Sequence, residues 1–156
     1  MLRWSRPSPG VRSERMRTRA DQPGLRMRMA QEARRISSQH RQLDSLHALV
    51  VAALERRARA QARAAFVRFR DALDAHMALE DELHFPALRG LRPDLDGELA
   101  GLVREHRRFR RSLDALAETF FHGSAAGCAQ GLDSFVEAFA EHERREERLL
   151  AATVSA

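Results

Sequence analysis

The sequence predicts an all-α protein: an antiparallel up-down-up-down four-helix bundle behind a disordered N-terminal tail. Three observations predict it. Alanine, arginine, leucine and glutamate dominate, while glycine and proline number only 8 and 5 in 156 residues, a balance that favours helix. Apolar residues recur at alternating spacings of three and four along four separate stretches. Short breaks separate stretches of roughly 25–30 residues, the pattern of an antiparallel bundle with shallow crossing angles. The length suits one domain.

Residues 1–28 read as the tail. Pro7, Pro9, Gly10, Pro23 and Gly24 punctuate them, and they hold eight arginines against two acids, Glu14 and Asp21. The remaining 128 residues hold 19 arginines against 20 acids. The net charge of +5 therefore belongs to the tail. A basic nucleic-acid groove along residues 29–156, the bundle domain, is not supported. The tail itself reads as an unstructured extension, with contact to nucleic acid or acidic lipid as the alternative.

The first apolar stripe is Ile36, His40, Leu43, His47, Val50, Leu54. The second is Phe66, Phe69, Leu73, His76, Glu80, Leu83. The third runs through Leu95, Leu99, Leu102, His106, Phe109, Leu113, Leu116 and Phe120. The fourth is Leu132, Phe135, Phe139, His142, Glu146, Leu149. Gly90 to Pro93 and His122 to Gly127 are breaks marked by Gly, Pro and Ser. The first break, near residues 57–62, is placed by phase alone, because continuing the first stripe lands on Arg57, Gln61 and Arg68. Pro86 is expected to kink or end the second helix.

Other classes fall away. No apolar run approaches the ~18 residues of a membrane span, and the N-terminus lacks the apolar core of a signal peptide. Cys128 is the only cysteine, which fits a reducing compartment. The expectation is a cytoplasmic protein with no membrane partner. No HExxH occurs, which removes the zincin protease reading. The absence of tyrosine excludes a tyrosyl radical.

The residues that interrupt the stripes carry the chemistry. His40, His76, Glu80, His106, His142 and Glu146 stand where the pattern calls for Leu or Phe. A glutamate facing a core is costly unless it is paired or bound to metal. His76 and Glu80 are four apart, as are His142 and Glu146, so each pair shares one helix face. Depth agrees: His76 lies 14 residues before Gly90 and His106 lies 13 after Pro93, so both sit ~20 Å from their connection. Folded antiparallel, all six side chains meet in one layer. Six nitrogen and oxygen donors exceed what one structural zinc takes, and imidazole with carboxylate in a helical bundle suits a pair of iron ions. Asp44, Asp81 and Glu105 could orient imidazoles or be solvated helix charges. Arg107, Arg108, Arg110 and Arg111 are expected to pair with acids on neighbouring turns. His122 lies at a turn and is expected to be solvated.

The order His, HxxxE, His, HxxxE resembles the hemerythrin-like (HHE cation-binding) domain. QHRQLDSL around His40, HMALEDELHFP from His76, EHRRFRRSL around His106 and HERREERLL from His142 carry the resemblance, which spans about residues 30–152. It implies a non-haem di-iron centre, oxo- or hydroxo-bridged. His40, His76, His106 and His142 would be terminal ligands, with Glu80 and Glu146 bridging. It also implies oxygen binding or sensing, iron handling or peroxide chemistry. One departure stands out: the oxygen carriers of the family have two histidines one turn apart on the third helix, whereas here Arg110 follows His106. His47 or His84 could supply a further ligand. The departure favours redox or sensing over reversible O2 carriage. Two alternatives remain: a peroxide-consuming, catalase-like di-iron enzyme, and a metal-free helical interaction module with a basic tail.

Overall fold

The computed structural model describes residues 23–155, and the expected tail up to residue 22 lies outside the described residues. Helix α1 spans Pro23–Glu55. It opens on proline, whose missing N–H costs nothing in a first turn, so helix already covers the last part of the segment assigned to the tail. Helix α2 spans Arg59–Leu79, passes through a π-helical turn at Glu80–His84, and continues as α3 over Phe85–Leu91. A 3-10 turn, Pro93–Leu95, leads into α4, Asp96–His122, and α5 is Ala125–Ser155. No strand occurs among the described residues.

Helix α1 packs on α2 and α5, and α4 packs on α5 and α2. With connections this short, that ring of neighbours is an antiparallel four-helix bundle whose second rod is α2 plus α3. The first connection is Arg56–Ala58, tighter than the phase argument placed it. Arg57 adopts φ 56°, its N–H bonds the Leu54 carbonyl at 2.9 Å, and Ala58 N–H bonds the Ala53 carbonyl at 2.9 Å. This 6→1 and 5→2 pairing is the Schellman stop, here made without glycine. Across the bundle end, Arg59 donates to the Gly123 carbonyl at 2.9 Å and Arg63 to the carbonyls of Phe120 and Phe121. Both cations thus satisfy the open carbonyls at the C-terminus of α4. Ser124 caps α5, accepting from Gly127 N–H at 3.1 Å.

Pro86 does not end the second rod. It has no N–H to offer, and its ring would strike the carbonyl of residue 82 in a regular helix. The chain widens just before it, Phe85 N–H bonding the Glu80 carbonyl five residues back. That extra residue per turn shifts the apolar stripe. Leu83, expected to face the core, is 59% exposed, and His84, Phe85 and Leu88 turn inward instead. Similar one-residue drifts bury Ala53 rather than Leu54, and Leu150 rather than Leu149.

The core has two apolar compartments. One holds Leu43, Val50, Phe66, Phe69, Leu73, Leu113, Phe120, Leu132, Phe135 and Phe139. The other holds Ile36, Phe85, Leu88, Leu95, Leu99, Leu102 and Leu150. Between them lies a layer of buried histidine and glutamate. No helix among the described residues is long and apolar enough to cross a membrane.

Candidate metal centre

Every long helix contributes to this layer. His40 comes from α1, His76 from α2, Glu80 from the π turn, His106 from α4, and His142 and Glu146 from α5. All six are buried, with Glu80, His106 and His142 fully enclosed. Their donor atoms form two groups, each gathered within 4.8 Å: His40, His76, Glu80 and Glu146 in one, Glu80, His106 and His142 in the other. Glu80 belongs to both. One carboxylate oxygen lies 3.1 Å from His76 Nε2 and the other 3.3 Å from His106 Nε2. Glu146 joins one group only, with Oε2 3.6 Å from His40 Nε2.

Each imidazole turns Nε2 inward and Nδ1 toward an acceptor on the next helix. His76 Nδ1 faces Gln39 Oε1 at 3.2 Å, His106 Nδ1 faces Asp81 Oδ1 at 2.8 Å, His142 Nδ1 faces Glu105 Oε2 at 2.8 Å, and His40 Nδ1 faces Glu147 Oε1 at 3.4 Å. Gln39 adjoins His40 in the chain, Asp81 adjoins Glu80, Glu105 adjoins His106, and Glu147 adjoins Glu146. The support runs as a ring, each helix orienting the histidine of the next. Arginines brace two of these acids: Arg110 donates to Asp81 at 3.0 Å and Asp74 at 2.8 Å, and Arg145 donates to Glu105.

This wiring decides the tautomers. A carboxylate only accepts, so Nδ1 of His106 and His142 carries the proton and Nε2 carries a lone pair. The two Nε2 atoms are 2.9 Å apart. Burial lowers the pKa of both rings, so two lone pairs converge where a cation would relieve them. Burial, then the neighbouring His40, pushes His76 down to about 3. Burial works against protonating His40 too, but Glu146, Glu143 and Glu147 outweigh it and raise its pKa. Glu80 is pushed well up by burial and by the nearby Glu146 carboxylate. Burial would raise Glu146, yet its closeness to the His40 imidazole and to Glu80 outweighs burial and lowers its pKa. Both oxygens of Glu80, both oxygens of Glu146, and Nε2 of His40 and His76 are buried without a hydrogen-bond partner among the described residues. Buried polar atoms are ordinarily satisfied, so this donor set fits a cation: neutral imidazole lone pairs and carboxylate oxygens, oriented from behind and aimed at common points.

The six residues singled out from the stripes are thus brought together, and His47 and His84 are not among them. His47 is half-buried with its ring centroid 6.1 Å from that of Phe69. His84 points Nε2 at Glu32 of α1, 2.9 Å away. His122 is exposed beside Glu118. Of the three acids considered for orienting roles, Asp81 and Glu105 face imidazoles, whereas Asp44 is exposed. Arg108 pairs with Glu105 one turn away at 3.4 Å as expected, whereas Arg110 reaches across to Asp74 and Asp81 of the second rod instead of to a neighbouring turn. Gln39, Glu143 and Glu147 escaped the sequence reading. They sit one step off an apolar stripe, where solvated residues are the rule. The usable signal is that each adjoins an inward-facing donor.

The hemerythrin HHE cation-binding domain family matches over residues 32–154. No curated protein and no solved structure matches the chain.

Proposed function

We propose that this chain, which belongs to the hemerythrin HHE cation-binding domain family, is a non-haem di-iron protein that reacts with a small oxidant, O2 or peroxide. His40, His76, Glu80 and Glu146 would hold one iron, and Glu80, His106 and His142 the other. A bound iron pair would supply the electrons for reduction of such an oxidant.

The observation that carries this reading is Glu80, one carboxylate common to two donor groups of unequal size. Four donors converge on one side and three on the other, so the His106–His142 side has more room for an exogenous ligand. Arg110, one turn beyond His106, adds no donor there, because its guanidinium turns outward to Asp74 and Asp81. Asp81 and Glu105 fix both imidazoles, so the protein's donors need not rearrange when a ligand arrives. The rings of Phe85, Phe109 and Phe139 lie 5.3–5.7 Å from those of His106 and His142 and keep bulk water out. A groove of about 750 Å³ between α4 and α5 is lined by Phe109 and Glu105, both set against His142. It offers a small oxidant an approach on this side.

The test is an iron assay with an absorption spectrum of protein loaded with ferrous iron. Near two irons per chain, with charge-transfer bands on oxidation that shift when azide is added, is the expected result. Stoichiometric zinc without iron, or no metal at all, overturns the reading, and only the second outcome leaves the metal-free interaction module. Catalytic loss of added peroxide, against reversible O2 spectra, separates enzyme from sensor.

A further inference from the structure

Three carboxylates of α5 flank a single imidazole of α1. Glu147 Oε1 is 3.4 Å from His40 Nδ1, Glu143 Oε1 is 3.7 Å from His40 Nε2, and Glu146 Oε2 is 3.6 Å from the same Nε2. Their side chains are 53%, 19% and 1% exposed in that order. Carboxylate oxygen is therefore offered at successive depths, from solvent down to the four-donor group. Asp44 of α1 is exposed and close enough to act electrostatically on Glu143. The inner end is open to a ligand, since His40 Nε2 and both Glu146 oxygens are buried with no hydrogen-bond partner among the described residues.

The opposite flank has the reverse character. Asp81 is engaged by Arg110 and Glu105 by Arg145, so a cation approaching His106 and His142 meets guanidinium first. Among the described residues no arginine lies within ion-pairing distance of Glu143, Glu146 or Glu147. A seam lined by one sign of charge concentrates the opposite ion and speeds its capture.

We propose that the α1–α5 seam is the uptake route for divalent metal, with Glu143 as the carboxylate that takes the ion from solvent-facing Glu147 and passes it to His40 and Glu146. Glu143 has the position for this. It is as close to His40 Nε2 as Glu146 is, yet it lies outside both donor groups and remains partly wet. It acts during loading and is not one of the resident donors.

This inference rests on the metal-centre reading, and one experiment separates the two. Metal-free full-length protein is mixed with cobalt(II) at low ionic strength, and uptake is followed by the visible bands that appear when cobalt enters an imidazole–carboxylate site. Glu143→Gln should slow uptake about tenfold while reaching the wild-type cobalt content. Glu143→Asp should restore most of the rate, and Glu137→Gln, an exposed acid of the same helix, should leave it unchanged. Circular dichroism first establishes that each variant keeps its helix content. An unchanged rate in Glu143→Gln, equal slowing in Glu137→Gln, or loss of cobalt at equilibrium in Glu143→Gln overturns the route. Failure of the wild-type protein to take up any cobalt overturns the metal centre and the route together.

Discussion

Glu80→Gln should reverse the stability order of the metal-free and metal-loaded proteins. In the metal-free protein Glu80 is fully buried, both its oxygens lack hydrogen bonds, and Glu146 is an acidic neighbour. Keeping Glu80 in this site, as an unpaired charge or protonated above its ordinary range, costs about 3–5 kcal/mol at pH 8, whereas a buried amide with an unmet hydrogen bond costs about 1–3 kcal/mol. The substituted amide nitrogen can also donate to the lone pair of His76 or His106 Nε2, which Glu80 approaches at 3.1 and 3.3 Å. The variant should therefore gain about 2 kcal/mol without metal, a rise in Tm of roughly 4–8 °C for a domain of this size. With metal the order turns over. Free metal at a hundred times its Kd stabilises the wild type by about 2.7 kcal/mol, and the variant, lacking the carboxylate common to both groups, gains little. Thermal melts by circular dichroism at pH 8, with chelator and with anaerobic ferrous iron, give all four values. A variant that melts below the wild type in chelator, yet gains as much from iron, would refute the reasoning.

The metal-free protein should lose stability as pH falls below about 6.5. An unfolded His76 takes up a proton there, which the folded ring, with its pKa near 3, refuses, so this contribution is present above 6.5 and lost toward 3. It amounts to about 3 kcal/mol between pH 7 and pH 4. His106 and His142 add in the same direction, while the raised His40 and Glu80 blunt the loss. Denaturant titrations at several pH values should show this slope, and His76→Gln should make it shallower; a slope unchanged by the substitution contradicts the assignment. Asp81→Asn and Glu105→Gln should each weaken metal binding about 10–100-fold without lowering the content at saturation, measured by competition with a chelator. His40→Ala should lose bound iron, whereas His47→Ala and His122→Ala should retain it. Retention in His40→Ala with loss in His47→Ala would put the wrong turn of α1 in the layer.

How much of this was legible in the chain depended on periodicity. The six donors interrupt apolar stripes, and a polar residue at a core position is visible because the surrounding Leu and Phe fix the phase. Equal distances from the connections place them in one layer, since rise per residue converts count to height. Beyond Glu80 the signal failed. Pro86 allows either a stop or a local change of helix type, and only packing selects the π turn that exchanges Leu83 for His84. Arg57 hid the first connection, since a left-handed residue is usually advertised by glycine. Gln39, Glu143 and Glu147 were hidden for a different reason. Their role lies in contacts across helices, and helical spacing reports neighbours within one helix only.

In the proposed di-iron centre one carboxylate, that of Glu80, joins two unequal metal-binding groups. A crystal structure of the iron-loaded protein, with anomalous scattering recorded at the iron edge, tests it directly. Two iron peaks are expected on either side of Glu80, one contacting His40, His76 and Glu146 and the other contacting His106 and His142. A single peak, or iron bound away from Glu80, would contradict it.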